Sequence, residues 1–104
     1  MYHKQEQILR LRRKVDKIDE KLARLLASRE RTVLRISQAK IGVSEIVDRK
    51  REQVVIGNFS EYAGKYGLSP EIADPVIREV VKQCTIVQHN AIVSQSETDA
   101  ASHD

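Results

Sequence analysis

Residues 8–39 read ILRLRRKVDKIDEKLARLLASRERTVLRISQA, and their periodicity decides the fold. Apolar side chains recur at Ile8, Leu11, Val15, Ile18, Leu22 and Leu25, and the same spacing of three and four runs on through Arg29, Thr32, Ile36 and Ala39. Alternation of three and four sustained this far is the pattern of one amphipathic helix with a coiled-coil-like seam. At about 1.5 Å per residue a helix of about 35 residues extends roughly 50 Å, whereas a compact chain of about 100 residues has a radius of gyration of only about 13 Å. The rest of a 104-residue chain cannot cover such a rod. The expectation is a second copy packed along the seam, in an all-α homodimer.

Downstream, glycine and proline divide the sequence. Gly42, the YGLSP run from Tyr66 to Pro70, and Pro75 are the breakers. A short loop from about Gly42 to Val47 leads to Asp48, a good N-cap residue, and a second helix through REQVVIGNFSEYAGKY with Val55, Phe59 and Tyr62 as its stripe. Gly64 and Gly67 weaken its far end, and Ser69-Pro70 reads as an N-cap followed by proline at the first helical position. The third helix carries Ile72, Val76, Ile77, Val80, Val81, Cys84, Val87 and Ala91, with a kink or re-started first turn expected at Pro75. From Ser94 the run SQSETDAASHD has three acids and no base, and is expected to fray as a disordered tail. The organisation is one three-helix domain over residues 1–93 and a polar tail over residues 94–104.

Composition narrows the function. The 18 Lys and Arg exceed the 15 Asp and Glu by three, yet residues 1–51 hold 15 basic and 7 acidic residues, so an anionic partner is expected. The single cysteine, Cys84, excludes an internal disulfide framework, and three scattered histidines (His3, His89, His103) offer no metal spacing. No apolar run approaches the roughly 18 residues of a spanning helix and the N-terminus lacks a signal-like apolar stretch, so no membrane association and a cytoplasmic location are expected. Three Tyr, one Phe and no Trp leave little to stack on bases, which argues against nucleic acid as the anion.

Polar residues that interrupt apolar faces are the candidate site. Arg29 falls on the seam of the first helix, and Lys40, eleven residues later, lies within about 20° of it at about 100° per residue. Gln88 follows Cys84 by one turn on the apolar face of the third helix, and Arg51 and Glu52 open the second. Each has an ordinary explanation: a snorkelling arginine, a lysine capping carbonyls, an amide satisfied by backbone, an acid complementing the helix dipole. Together they gather cations, an amide and a carboxylate inside a small helical protein, a costly burial that an anionic small molecule would offset. Arg12 stands 17 residues before Arg29 on another face, roughly 25 Å away on the same rod. If both touch one small ligand, Arg12 comes from the other subunit.

The stretch LRRKVDKIDEKLARLLASRERTVLRISQAK, followed by DRKRE, GLSPE and CTIVQ, resembles the all-helical chorismate mutases of the shikimate pathway over about Leu9 to Gln88. The resemblance implies an intertwined homodimer of three-helix chains with two sites, each borrowing an arginine from the partner. By motif it assigns Arg12, in trans, to one substrate carboxylate and Arg29 to the other. Lys40 closes the first helix, Asp48, Arg51 and Glu52 form the DxxRE box, and Gln88 ends the third helix's motif. Cys84 stands where many relatives have Ser, a swap expected to alter affinity rather than abolish activity.

The implied reaction is the Claisen rearrangement of chorismate to prephenate on the way to phenylalanine and tyrosine, with neither metal nor cofactor. It calls for restraint of a dianion, which guanidinium forks supply, and for donors to the ether oxygen, for which Lys40 and Gln88 are suited. Related reactions on the same fold are isochorismate pyruvate lysis and 4-amino-4-deoxychorismate rearrangement; Asp48 and Glu52 favour the mutase over the lyase. A non-enzymatic helical dimer, as an adaptor or weak DNA binder, leaves Arg29 and Gln88 unexplained.

Overall fold

The computed structural model describes residues 2–39 and 48–102, with side chains for 3–39 and 48–94. Among them are three helices and no strand: α1 (Tyr2–Ala39), α2 (Arg49–Tyr66) and α3 (Pro70–Ser102). The fold is all-α with a long first helix, as the periodicity predicts. Lys40 and the loop expected from Gly42 to Val47 lie outside the described residues. The chain divides into two compact units, Met1–Thr32 and Val33–Asp104.

The first unit consists of α1 residues alone. Ile8, Leu11, Val15, Ile18, Leu22 and Leu25 are all exposed, Leu25 to 68%. Thr32, a polar position on the seam, returns its hydroxyl to the Ser28 carbonyl at 2.8 Å, so it leaves no unmet donor for a neighbour to satisfy. Arg24 and Glu20 face each other at 3.6 Å on the exposed side, a solvated pair that contributes little.

The second unit holds the last turns of α1 together with α2 and α3. Asp48 has extended backbone (φ −116°, ψ 94°) and its carboxylate accepts the Arg51 N–H at 3.0 Å, satisfying one of the donors a helix start leaves unpaired. The other end of α2 closes on Gly67 at φ 73°, a left-handed conformation that glycine adopts without the penalty of a Cβ. The N–H groups of Gly67 and Leu68 both return to the Ala63 carbonyl. Ser69 then opens α3: its carbonyl accepts the Ala73 N–H at 2.9 Å, with Pro70 as the first helical residue where no amide hydrogen is required.

Three expectations shift. Pro75 lies inside α3 without restarting it, since so near the start the missing donor deprives only the Glu71 carbonyl, on an exposed residue. Helix α3 also continues past Ser94 to Ser102, over a run with neither proline nor glycine to stop it. The buried stripes are the third difference. Tyr62, Ile72 and Ile36 are exposed, and the buried positions beside them are one residue further along, at Ala63, Ala73 and Ser37; Val76 is exposed, while Ile77 is buried as the stripe predicts. Alanine and serine take the inner places because small side chains allow helix backbones to approach, and the bulkier neighbours are displaced about 100° outward.

Two alanines and Ile77 are the buried apolar residues among those described, and no described side chain is fully sequestered. Full burial of a large aliphatic side chain contributes only about 1.5–3 kcal/mol, so this core is thin for an independent domain.

Candidate active site

The residues predicted for the site fall into three groups. On α1, in the first unit, Arg12 is exposed and Arg29 partly buried. At the start of α2, in the second unit, the structure brings Asp48, Arg51 and Glu52 together through the cap: the Arg51 N–H reaches the Asp48 carboxylate, and the Glu52 N–H donates to the Asp48 carbonyl at 2.9 Å. Arg51 and Asp48 are exposed, while the Glu52 side chain, in the first turn, is partly buried. On α3, Cys84 is a partly buried cysteine outside any disulfide, one turn before Gln88.

Gln88 is the group whose environment is most defined. It is 7% exposed, and its Nε2 donates to the Val33 carbonyl of α1 at 3.1 Å, across 55 residues of sequence. A carbonyl oxygen is only an acceptor, so the amide nitrogen must face it. The ordinary explanation for a buried amide, satisfaction by backbone, thus holds for one of its two N–H bonds. The other can serve a second acceptor.

Sequence reasoning missed Ser37. It is 4% exposed, one turn beyond Val33, and its hydroxyl donates to the Leu34 carbonyl at 2.7 Å. The seam periodicity directs attention to Ile36, but Val33, Leu34 and Ser37 form a second stripe on α1 that is more covered.

A cleft of about 530 Å³ opens between α2 and α3 near their turn, lined among others by Ile56, Ala63, Leu68, Ala73 and Ile77. None of the predicted site residues lines it. Its one carboxylate, Asp74, is engaged by Arg78 Nε at 2.9 and 3.0 Å, and no cation lines the walls. Such a surface does not suit a dianion.

Among the described residues the candidates are carried on three helices, and the apolar seam of α1 is exposed, which defines the class as an all-helical protein. The family model for chorismate mutase type II matches residues 11–89, more than half of the 104-residue chain, and the chain belongs to that family. The match includes Arg12, Arg29, Lys40, Asp48, Arg51, Glu52, Cys84 and Gln88, and leaves residues 94–104 outside. Comparison with curated proteins finds no match, and comparison with solved structures finds none. Among the described residues no helix is long and apolar enough to cross a membrane.

Proposed function

We propose that this chain converts chorismate to prephenate, and that it does so as a homodimer with two shared sites. The observation that carries the reading is the buried Gln88 amide, fixed by the Val33 carbonyl with a second N–H to spare, in a chain of the chorismate mutase type II family. In the rearrangement the ether C–O bond breaks as a C–C bond forms within one molecule, with no proton transferred. The protein's task is to hold the reactive conformer and to stabilise charge that grows on the ether oxygen.

In this scheme Arg29 and the partner's Arg12 clamp the two carboxylates, each guanidinium offering paired N–H groups to a planar anion. Lys40 and Gln88 donate to the ether oxygen, an interaction stronger in the transition state than in the ground state and therefore expressed in kcat. Glu52 accepts from the ring hydroxyl, with Arg51 beside it and Asp48 holding the turn through its cap. Cys84 packs near the substrate from the turn before Gln88.

The exposed seam supports the proposed dimer. Six large aliphatic side chains of the seam, from Ile8 to Leu25 with Leu9 left out, are exposed on the single chain, and pairing two such seams would withdraw them at about 25 cal/mol per Å² of apolar surface. Pairing of two such helices in opposite directions would also bring Arg12 of one chain toward the far end of α1 in the other.

The test is to present purified full-length protein with chorismate, isochorismate and 4-amino-4-deoxychorismate separately. Fastest consumption of chorismate with prephenate as product is expected. Pyruvate release from isochorismate at a higher kcat/KM, or no turnover of any of the three, would overturn the assignment.

A further inference from the structure

We infer that Ser37 is a positioning residue: its small side chain opens the Val33 carbonyl of α1 to Gln88 and so sets the direction of the amide's second N–H. The inference deepens the proposed function and rests on Gln88 acting as a donor there.

Ser37 and Gln88 are the two buried polar residues of the described chain, and they belong to one compact unit. Within a helix, the carbonyl of residue i points along the axis toward the N–H of residue i+4. The side chain of residue i+4 leans back toward the N-terminus, over the preceding turn. For Val33 the i+4 residue is Ser37. A donor from another element can therefore reach the Val33 carbonyl, which is already engaged in the helix ladder, only if residue 37 leaves the approach open. The Gln88 Nε2 makes that approach, at 3.1 Å.

The Ser37 hydroxyl is turned away from this task. It donates to the Leu34 carbonyl at 2.7 Å, within its own helix, and so is satisfied locally. What residue 37 supplies to Gln88 is space. A methyl branch added there would fill the gap beside the carbonyl, and a packed site accommodates such a group only by moving an element. The amide would then lose its anchor and, with it, the fixed aim of the second N–H.

Four side chains separate size from hydroxyl. Serine and alanine are small, with and without the hydroxyl; threonine and valine are isosteric and larger, again with and without it. Full-length Ser37→Ala, Ser37→Thr and Ser37→Val are compared with the unaltered chain by chorismate turnover and by the side-chain amide proton resonances of Gln88, assigned by their loss in Gln88→Met. Ser37→Ala is expected to keep kcat within about twofold and to retain one exchange-protected amide proton. Ser37→Thr and Ser37→Val are expected to lose that protection and to lower kcat about tenfold, with KM changed less than about threefold, a partial form of the 10²–10³ loss that follows removal of a whole donor.

If activity and protection follow the hydroxyl instead, with serine and threonine alike and alanine and valine alike, the inference is wrong. It is equally wrong if Ser37→Val keeps both, or if all variants lose helicity and kcat in proportion. The amide signal needs no substrate. A chain that fails to rearrange chorismate yet shows size-dependent protection overturns the proposed function alone, whereas protection indifferent to size overturns the role of Ser37 whatever the turnover.

Discussion

At Gln88 one amide is proposed to serve two acceptors. One N–H is spent on the Val33 carbonyl, and that bond gives the carboxamide a single orientation in a site where a free amide would sample several. Because an amide does not titrate, turnover assigned to Gln88 should stay nearly flat between about pH 5 and 8. A Gln88→Glu variant can donate only when protonated, so its kcat should fall as pH rises through that window. A steep pH dependence in the unaltered chain would remove Gln88 from the donor role. Asp48 divides its duties differently: its carboxylate is already engaged with the Arg51 N–H. Asp48→Ala should cost about 1 kcal/mol in chemical denaturation through loss of the cap, and Asp48→Asn should recover most of it. Equal losses in the two variants would show that charge, not capping, is what Asp48 supplies to stability.

At the scale of the helix, ends were more legible than faces. Asp48, Gly67, Ser69 and Pro70 each act over a few adjacent residues, so their meaning is contained in local sequence, and both bounds of α2 and the start of α3 follow them. Gly67 can be checked directly: at φ 73° an added Cβ is strained although the space around it is open. Gly67→Ala should lower stability by about 1 kcal/mol, and an unchanged denaturation midpoint would mean that the turn relaxes to another conformation. Faces were misread by one residue where a small side chain neighbours a large one. Tyr62 beside Ala63, Ile72 beside Ala73 and Ile36 beside Ser37 all follow the same rule, with the small residue inside. A hydrophobicity pattern weights the larger side chain, whereas close packing of helices selects the smaller. The signal that could have found Ser37 is the stripe Val33, Leu34, Ser37, read as a contact face in its own right.

For the whole molecule, the thin core and the exposed seam both support the proposed homodimer. If Arg12 acts in trans, mixing Arg12→Ala chains with Lys40→Ala chains should restore activity, because one of the two heterodimer sites then carries neither substitution. Recovery to about a quarter of the unaltered rate is expected for random pairing in equal amounts, since about half the dimers are mixed and each has one intact site. No recovery, with mixed dimers shown to form, would place both residues in one subunit's site. If the proposed dimer pairs along the seam, Ile18→Glu should sediment as a monomer, because pairing would bury an unpaired charge; an unchanged sedimentation coefficient would place the interface elsewhere. The amino-acid order by itself determined the helical class, the long first helix, the caps and the set of polar residues worth testing, because periodicity and capping are local physics. Only the tertiary structure decided which of two neighbouring residues is covered at Tyr62/Ala63, Ile72/Ala73 and Ile36/Ser37, and that Gln88 meets the Val33 carbonyl. That contact joins residues 55 apart, and nothing in either local pattern specifies the depth at which two helices meet.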